Sequence, residues 1–481
     1  MSLSLARYTA LVVTGILLSA SPSFAGRHRP HSFIVQRAEL SSNAAAVFAC
    51  ETRFFDRALN AGRIACYGPS AIRSAYGLTG LIDAGLNGMG RTIVILDAFG
   101  SPTALADLQA FDAAFGIPDP LSFNIQKMPG TPAFDETDAN QVMWAQEVSL
   151  DVQWAHAIAP GANIVLVAAA SNSDQDMLDA LNYAVDNKLG EVISMSFGES
   201  EALLSDPAGL KMIGKWEKAL RRARDLHITV FASTGDQGST NIADEFGDVF
   251  GFQNVSYPAS SPNVTSVGGT SLYFGVDGHA DPNGTYITET VWNDQAQGVD
   301  GAGGGGFSAL FARPGFQDKL ASTLPRAMRR RGIPDVSYSA GVIGGVVVHL
   351  GFGGINGFVV IGGTSVGPPQ WSAIVADVNQ AFGRSLGFMN NRLYRLGDRG
   401  VRDRQLNGKK AQKMLFHDTD ITTGDNGFCF FTYPNGDFAC VPGFNATTGW
   451  DAATGWGTPN LSKLLAMLPE WDEEPGDDDP R

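Results

Sequence analysis

A layered α/β domain built on a mainly parallel central sheet is the architecture this sequence predicts. Two observations carry it: apolar, β-rich runs alternate with helical runs from Thr92 onward, and near the C-terminal third a strand, a tight turn and an amphipathic helix follow one another directly. With 481 residues, 44% of them hydrophobic, there is material for one large α/β domain or two ordinary ones. The first strand is TIVILDA, from Thr92, followed by the helical SPTALADLQAFDAAFG. QEVSLDVQWAHAIAPGA, Gln146 to Ala162, reads as a buried helix, since Val148, Val152, Trp154 and Ile158 put apolar groups on more than one side. NIVLVAAA, EVISMSF and ITVFAS then alternate as strands with the helices DQDMLDALNYAVDNKLG and GLKMIGKWEKALRRARDLH. Strands at that rhythm imply crossover connections and therefore parallel pairing. Between Asp236 and Pro334 glycine, asparagine and proline dominate, and GAGGGGFS, Gly301 to Ser308, must be loop. Order resumes in GFVVIGGTSVGPPQWSAIVADVNQAFG, whose turn carries Ser365. No internal repeat is apparent.

A formal net charge of -15 argues against nucleic acid or an anionic membrane as partner, because both demand basic faces. The N-terminus has Arg7, an apolar stretch from Tyr8 to Leu18 and a small-x-small site ending at Ala25. Residues 1–25 are therefore expected to be a secretory signal peptide, which makes the protein secreted, extracellular or periplasmic. No later run is long and charge-poor enough to span a bilayer. The four cysteines lie in two close pairs without zinc spacing, so two local disulfides, Cys50 with Cys66 and Cys429 with Cys440, are expected. Residues 26–49 form a short N-terminal segment, and 469–481 read as an acidic disordered tail.

Glu147 and Asp151 pose the chemical question. At helical spacing they are neighbours, and like charges there destabilise a helix by about 0.2 to 0.5 kcal/mol. Partly desolvated, such a pair has its pKa values pushed up and apart, the arrangement from which acids and bases are made; solvated on an outer face it does nothing. GGTSVGPPQ raises Ser365 as a nucleophile at a helix N-terminus, where backbone N–H groups favour a developing oxyanion. The same letters satisfy G-x-S-x-G, which in an α/β-hydrolase esterase requires a later histidine, and His417 is the only one after Ser365. No histidine is followed by glycine, as a subtilisin-like histidine would be, and His156 lies nearly opposite Glu147 on its helix.

TIVILDAFG, the E-x-x-x-D helix with AHAIAPGA, FASTGDQG, YPASSPNVTSVGGTSL, GGGFSALFARPGFQ, PDVSYSA and GGTSVGPPQWSA together resemble the sedolisins, serine-carboxyl peptidases with the subtilisin fold. The resemblance runs in one order from about Cys66 to Leu468 and implies a peptidase domain over 50–468, subtilisin-like, with a mainly parallel central sheet flanked by helices. It also implies a Ser365/Glu147/Asp151 triad, with Asp236 in the oxyanion hole and Asp97 as a supporting carboxylate. Protein or peptide substrates, a monomer and an optimum between roughly pH 3 and 5.5 are the corresponding expectations. FHDTDITTGDNG and NATTGWDAATGWGTP resemble the loops of a single Ca²⁺ site, with Asp420 and Asp451 carboxylates and the carbonyls of Ile421, Thr447 and Gly449 as ligands. A catalytically silent secreted binding protein is the reading outside enzymology. Three features depart from the family pattern: the short segment where a long propeptide is usual, Phe197 where many members have tryptophan, and Thr447 with an extra Asp418 in the calcium loops.

Overall fold

The structure is a computed structural model that describes residues 27–37, 49–52, 64–244, 247–274, 286–320, 329–407, 415–417, 421–431, 437–462 and 464–472. The expected signal peptide and residues 473–481 of the acidic tail lie outside the described residues, whereas the first four residues assigned to that disordered tail end the helix Leu464–Asp472 instead, with Trp471 buried against the domain and its carbonyl bonded by Arg392. The central sheet runs in the order Tyr286–Val291, Thr265–Phe274, Thr229–Ser233, Val192–Met195, Thr92–Ala98, Asn163–Ala169, Phe123–Lys127, with Val336–Ser339 also paired to Thr265–Phe274. Every pairing in it is parallel except that of Tyr286–Val291.

Such a sheet is covered on both faces, which is why its strands read as continuous apolar runs. Alternate side chains of Thr92–Ala98 feed two cores: Ile93 and Ile95 enter one, Val94, Leu96 and Ala98 the other. The helices Ala139–Ile158 and Gly367–Phe382 pack together over the first face, and Asp174–Asp186 with Pro207–Asp225 over the second. Asp97 continues the Ile93, Ile95 alternation, so the pleat turns it toward the helix that carries Glu147 and Asp151.

A second sheet, in the order Phe33–Arg37, Gly357–Gly362, Val346–Leu350, Ile64–Tyr67, Ala49–Thr52, leads into the Ser365 turn. Cys66 is disulfide-bonded and faces Cys50 in antiparallel register, although the Cys50 side chain lies outside the described residues. Cys429 and Cys440 form the expected disulfide across a small hairpin. Among the described residues no helix is long and apolar enough to cross a membrane.

Candidate active site

The Ala139–Ile158 helix starts at Asp138, whose carboxylate accepts from the N–H groups of Asn140 and Gln141 and so satisfies two of its free donors. From Trp144 to Ile158 almost every side chain is buried, which seats Glu147 and Asp151 in the interior on one helical stripe. Asp97, Glu147 and Asp151 are all fully buried. Both carboxylate oxygens of Asp97 and Oε1 of Glu147 have no hydrogen-bond partner among the described residues, and the Ser196 hydroxyl favours the charged form of Asp151 without a well-formed bond to it. Burial first, and then mutual repulsion, push Asp97 and Asp151 well above the ordinary carboxylate range. Burial likewise raises Glu147, to about 7, but the Ser32 and Ser365 hydroxyls favour its charged form.

Ser365 sits in the single turn Thr364–Val366 between the strand Gly357–Gly362 and the helix Gly367–Phe382. Its hydroxyl donates to the Ser196 carbonyl at 3.0 Å, and the Ser196 hydroxyl donates back to the Ser365 carbonyl at 3.2 Å. Asp236, buried, accepts at Oδ1 from the Thr364 N–H and the Thr364 hydroxyl, both at 2.8 Å. Burial pushes its pKa well above the usual range despite those two bonds.

The chain's own N-terminal segment crosses this site. Arg29–Pro30 pairs antiparallel with Phe197–Ser200, and the His31 N–H donates to the Ser196 carbonyl at 3.2 Å. The Ser365 N–H donates to the His31 carbonyl at 3.0 Å, and the His31 N–H lies 3.1 Å from Ser365 Oγ. Ser32 donates its hydroxyl to Glu147 Oε2. Phe33–Arg37 then pairs antiparallel with Gly357–Gly362. Gly363 explains how the chain passes: with φ of 125°, a Cβ there would stand 2.3 Å from the His31 carbonyl oxygen and 2.7 Å from both Asp236 Oδ2 and Ser32 Cα. Hence the His31 carbonyl, the Ser365 N–H and Asp236 Oδ2 converge on one small space. The sequence reading did not anticipate His31, Ser32 or Ser196 at the site. Nothing in the HRPHSFIV run itself names its distant partners.

The other candidate residues lie elsewhere or only partly within view. The partners of Ser365 are Ser196, His31 and Glu147, whereas His417 stacks on the Tyr286 ring with 3.8 Å between centroids and is felt electrostatically by Glu289. His156 packs inside, its Nε2 2.8 Å from the Pro118 carbonyl oxygen and 3.3 Å from Asp112. Of the calcium set, Asp420 and its neighbour Asp418 lie outside the described residues. Ile421 shares a small apolar cluster with Ala446 and Ala453, so the two loops do converge. Asp451 Oδ1 accepts from Ala453 N, Thr454 N and the Thr454 hydroxyl, while among the described residues Oδ2 accepts only from Thr447 N. Burial raises Asp451 to about 6. A buried carboxylate with one oxygen that has a single partner among the described residues, between two irregular loops, fits a hard cation.

A serine at the head of one helix, facing carboxylates on the helix packed beside it over a parallel sheet, is the arrangement of a hydrolase of the subtilisin fold. Residues 137–402 match the subtilase family, Peptidase S8, and the chain belongs to that family. Kumamolisin from Bacillus sp. (strain MN-32) is 32% identical over 405 residues, covering 83% of this chain and 62% of the relative. Sedolisin from Pseudomonas sp. (strain 101) is 27% identical over 379 residues, covering 78% and 57%. The chain thus spans less than two thirds of the length of these curated relatives. The solved structure of Pseudomonas sedolisin, a serine-carboxyl proteinase complexed with two molecules of pseudo-iodotyrostatin, aligns with a TM-score of 0.65 at 28% identity, covering 84% of this chain and 98% of that one.

Proposed function

We propose that the protein is a secreted serine-carboxyl endopeptidase that hydrolyses protein or peptide substrates at acidic pH through an acyl-enzyme on Ser365. The observation that carries this reading is the His31 carbonyl held on the Ser365 N–H within an extended, antiparallel-paired segment, the posture of a peptide substrate at a serine nucleophile. Ser365 Oγ attacks the carbonyl carbon, and its proton passes to Glu147. The oxygen, now negative, is met by the Ser365 N–H and by Asp236, which must be protonated to donate from Oδ2. The C–N bond breaks as Glu147 returns the proton to the leaving amine. Water, deprotonated by Glu147, then releases the acyl group and regenerates Ser365. Asp151 and Asp97 share protons behind Glu147 and keep the negative charge on the residue nearest the serine.

The decisive experiment is a casein or peptide digest at pH 4. Ser365→Ala, Glu147→Ala and Asp151→Ala should each lower kcat by several orders of magnitude without loss of folding, and their combination should be far from additive. Near-normal hydrolysis by Glu147→Ala together with loss in His417→Ala would favour the esterase geometry instead. One Ca²⁺ held by Asp420 and Asp451 with the carbonyls of Ile421, Thr447 and Gly449 belongs to the same reading. It would neutralise buried carboxylates and tie the two loops, a structural role outside the reaction. Chelation should therefore lower the thermal midpoint; an unchanged midpoint after verified metal removal counts against the site.

A further inference from the structure

The segment that crosses the cleft also displays how the cleft reads side chains. His28 lies three residues before the residue whose carbonyl meets Ser365, and it is fully buried. Its backbone is held by contacts any residue can make: its N–H donates to the Asn172 carbonyl, and the Asn172 amide donates to the His28 carbonyl, both at 2.9 Å. Its ring is not. Nε2 stands 3.0 Å from Asp174 Oδ1, and ligand atoms of His28, Asp174 and Glu199 all lie within 4.8 Å of one another. Phe197 and Trp216 meet the imidazole edge-on at centroid distances of 5.0 and 5.3 Å.

We propose that the fourth subsite on the acyl side of the cleft is an acidic, aromatic-walled box, formed by Asp174, Glu199, Phe197 and Trp216, that selects a protonated histidine. The inference rests on the peptidase reading and names what that site prefers. A planar cation suits the box, because the rings pack its apolar edges while Asp174 faces one ring nitrogen at 3.0 Å and Glu199 stands within 4.8 Å. A neutral side chain leaves Asp174 buried without a counter-charge, and an acidic one adds a like charge, both costly in a dehydrated pocket. Asp174 is the first residue of the helix Asp174–Asp186, whose N-terminal dipole also favours a negative charge there. Burial works against that charge, yet the hydrogen bond and charge of His28 hold the carboxyl below its ordinary range. Among the described residues the charged and titratable groups around the pair include Glu199, the His31 imidazole and the Tyr257 hydroxyl, with Arg27 bridged to Ser173 beside Asp174 and Arg29 lining the same space as Glu199.

The test uses the full chain and a set of internally quenched peptides that differ only at this position, carrying His, Lys, Ala or Glu. Added peptide competes with the chain's own segment equally in every assay, so the ratio of kcat/KM values within one preparation is the quantity to read. At pH 4.5 the histidine peptide should exceed the alanine peptide by about tenfold or more, with glutamate slowest. The His-to-Ala ratio should fall as pH passes about 6.5, where imidazole loses its proton, while the Lys-to-Ala ratio holds. Asp174→Asn should bring both ratios to within about twofold of unity, tenfold being about 1.4 kcal/mol; should that variant not fold, Glu199→Gln and the wild-type series still decide. Equal rates for His, Ala and Glu overturn the proposal, as does a histidine preference that survives Asp174→Asn. A preference abolished by a chelator would reassign the trio as a metal site and overturn it too. Hydrolysis undiminished in Ser365→Ala overturns the peptidase reading itself, a different result from Ser365-dependent hydrolysis without selectivity.

Discussion

In the proposed mechanism Asp236 serves the oxyanion only as an acid, since a carboxylate beside a forming negative oxygen would repel it. Its burial pushes the pKa well up, so the donor persists through the acidic range and is lost when the group ionises. Asp236→Asn supplies a donor that does not titrate; it should lower the peak rate but extend activity toward neutral pH, read from the alkaline limb of kcat/KM. A wild-type optimum at pH 7 to 8 would sink the mechanism. Glu147 sets the other limb. Burial under the crossing segment raises it, and the Ser32 and Ser365 hydroxyls favour its charged form. Glu147 and Asp151 were legible in sequence because one helical turn separates them. Ser196 was not, since its role comes from a carbonyl pointed at Ser365, 169 residues away, and backbone groups leave no letter to read.

The helix Ala139–Ile158 is the element that converts sequence spacing into a site. Its start is fixed by Asp138, which makes the cap a lever on the whole carboxylate row. Asp138→Ala should cost about 1 kcal/mol of stability, within a range of about 0.5 to 2, visible as a lower urea midpoint at unchanged slope. No change would mean that packing alone sets the helix start. The parallel strands were readable because burial on both faces demands unbroken apolar runs, and the Ser365 turn because glycine and proline punctuate it. Arg29–Pro30 and Phe33–Arg37 were not. They are two and five residues long, and the second is made a strand by Gly357–Gly362, more than 300 positions later. Strand formation at such an edge follows its partner more than its own composition. A segment read as a short prelude to the domain is thus strand-paired to it.

Across the molecule, buried carboxyl groups shift predominantly in one direction. Asp97, Asp112, Glu147, Asp151, Glu201, Glu217, Asp236, Glu289, Asp294, Asp377 and Asp451 are all raised, chiefly by burial, whereas Asp174 is lowered. Between the ordinary carboxylate range near pH 4 and these raised values, the folded protein holds more protons than the unfolded chain. Stability is therefore fully present below that window and falls as pH rises through it, up to about 6 for Asp451 and about 7 for Glu147. Thermal midpoints at constant calcium should be higher at pH 5 than at pH 8, and Glu147→Gln should flatten the slope; a midpoint that climbs toward pH 8 would contradict this balance. The crossing segment has a further consequence at this scale. It is tethered to the cleft it fills, so its local concentration there is set by the chain and not by the amount of protein in solution. Dilution cannot release it. Occupancy should be the same in a nanomolar assay as in a concentrated solution, and only a competing peptide at concentrations rivalling the tether, or a cut in the segment itself, would change it.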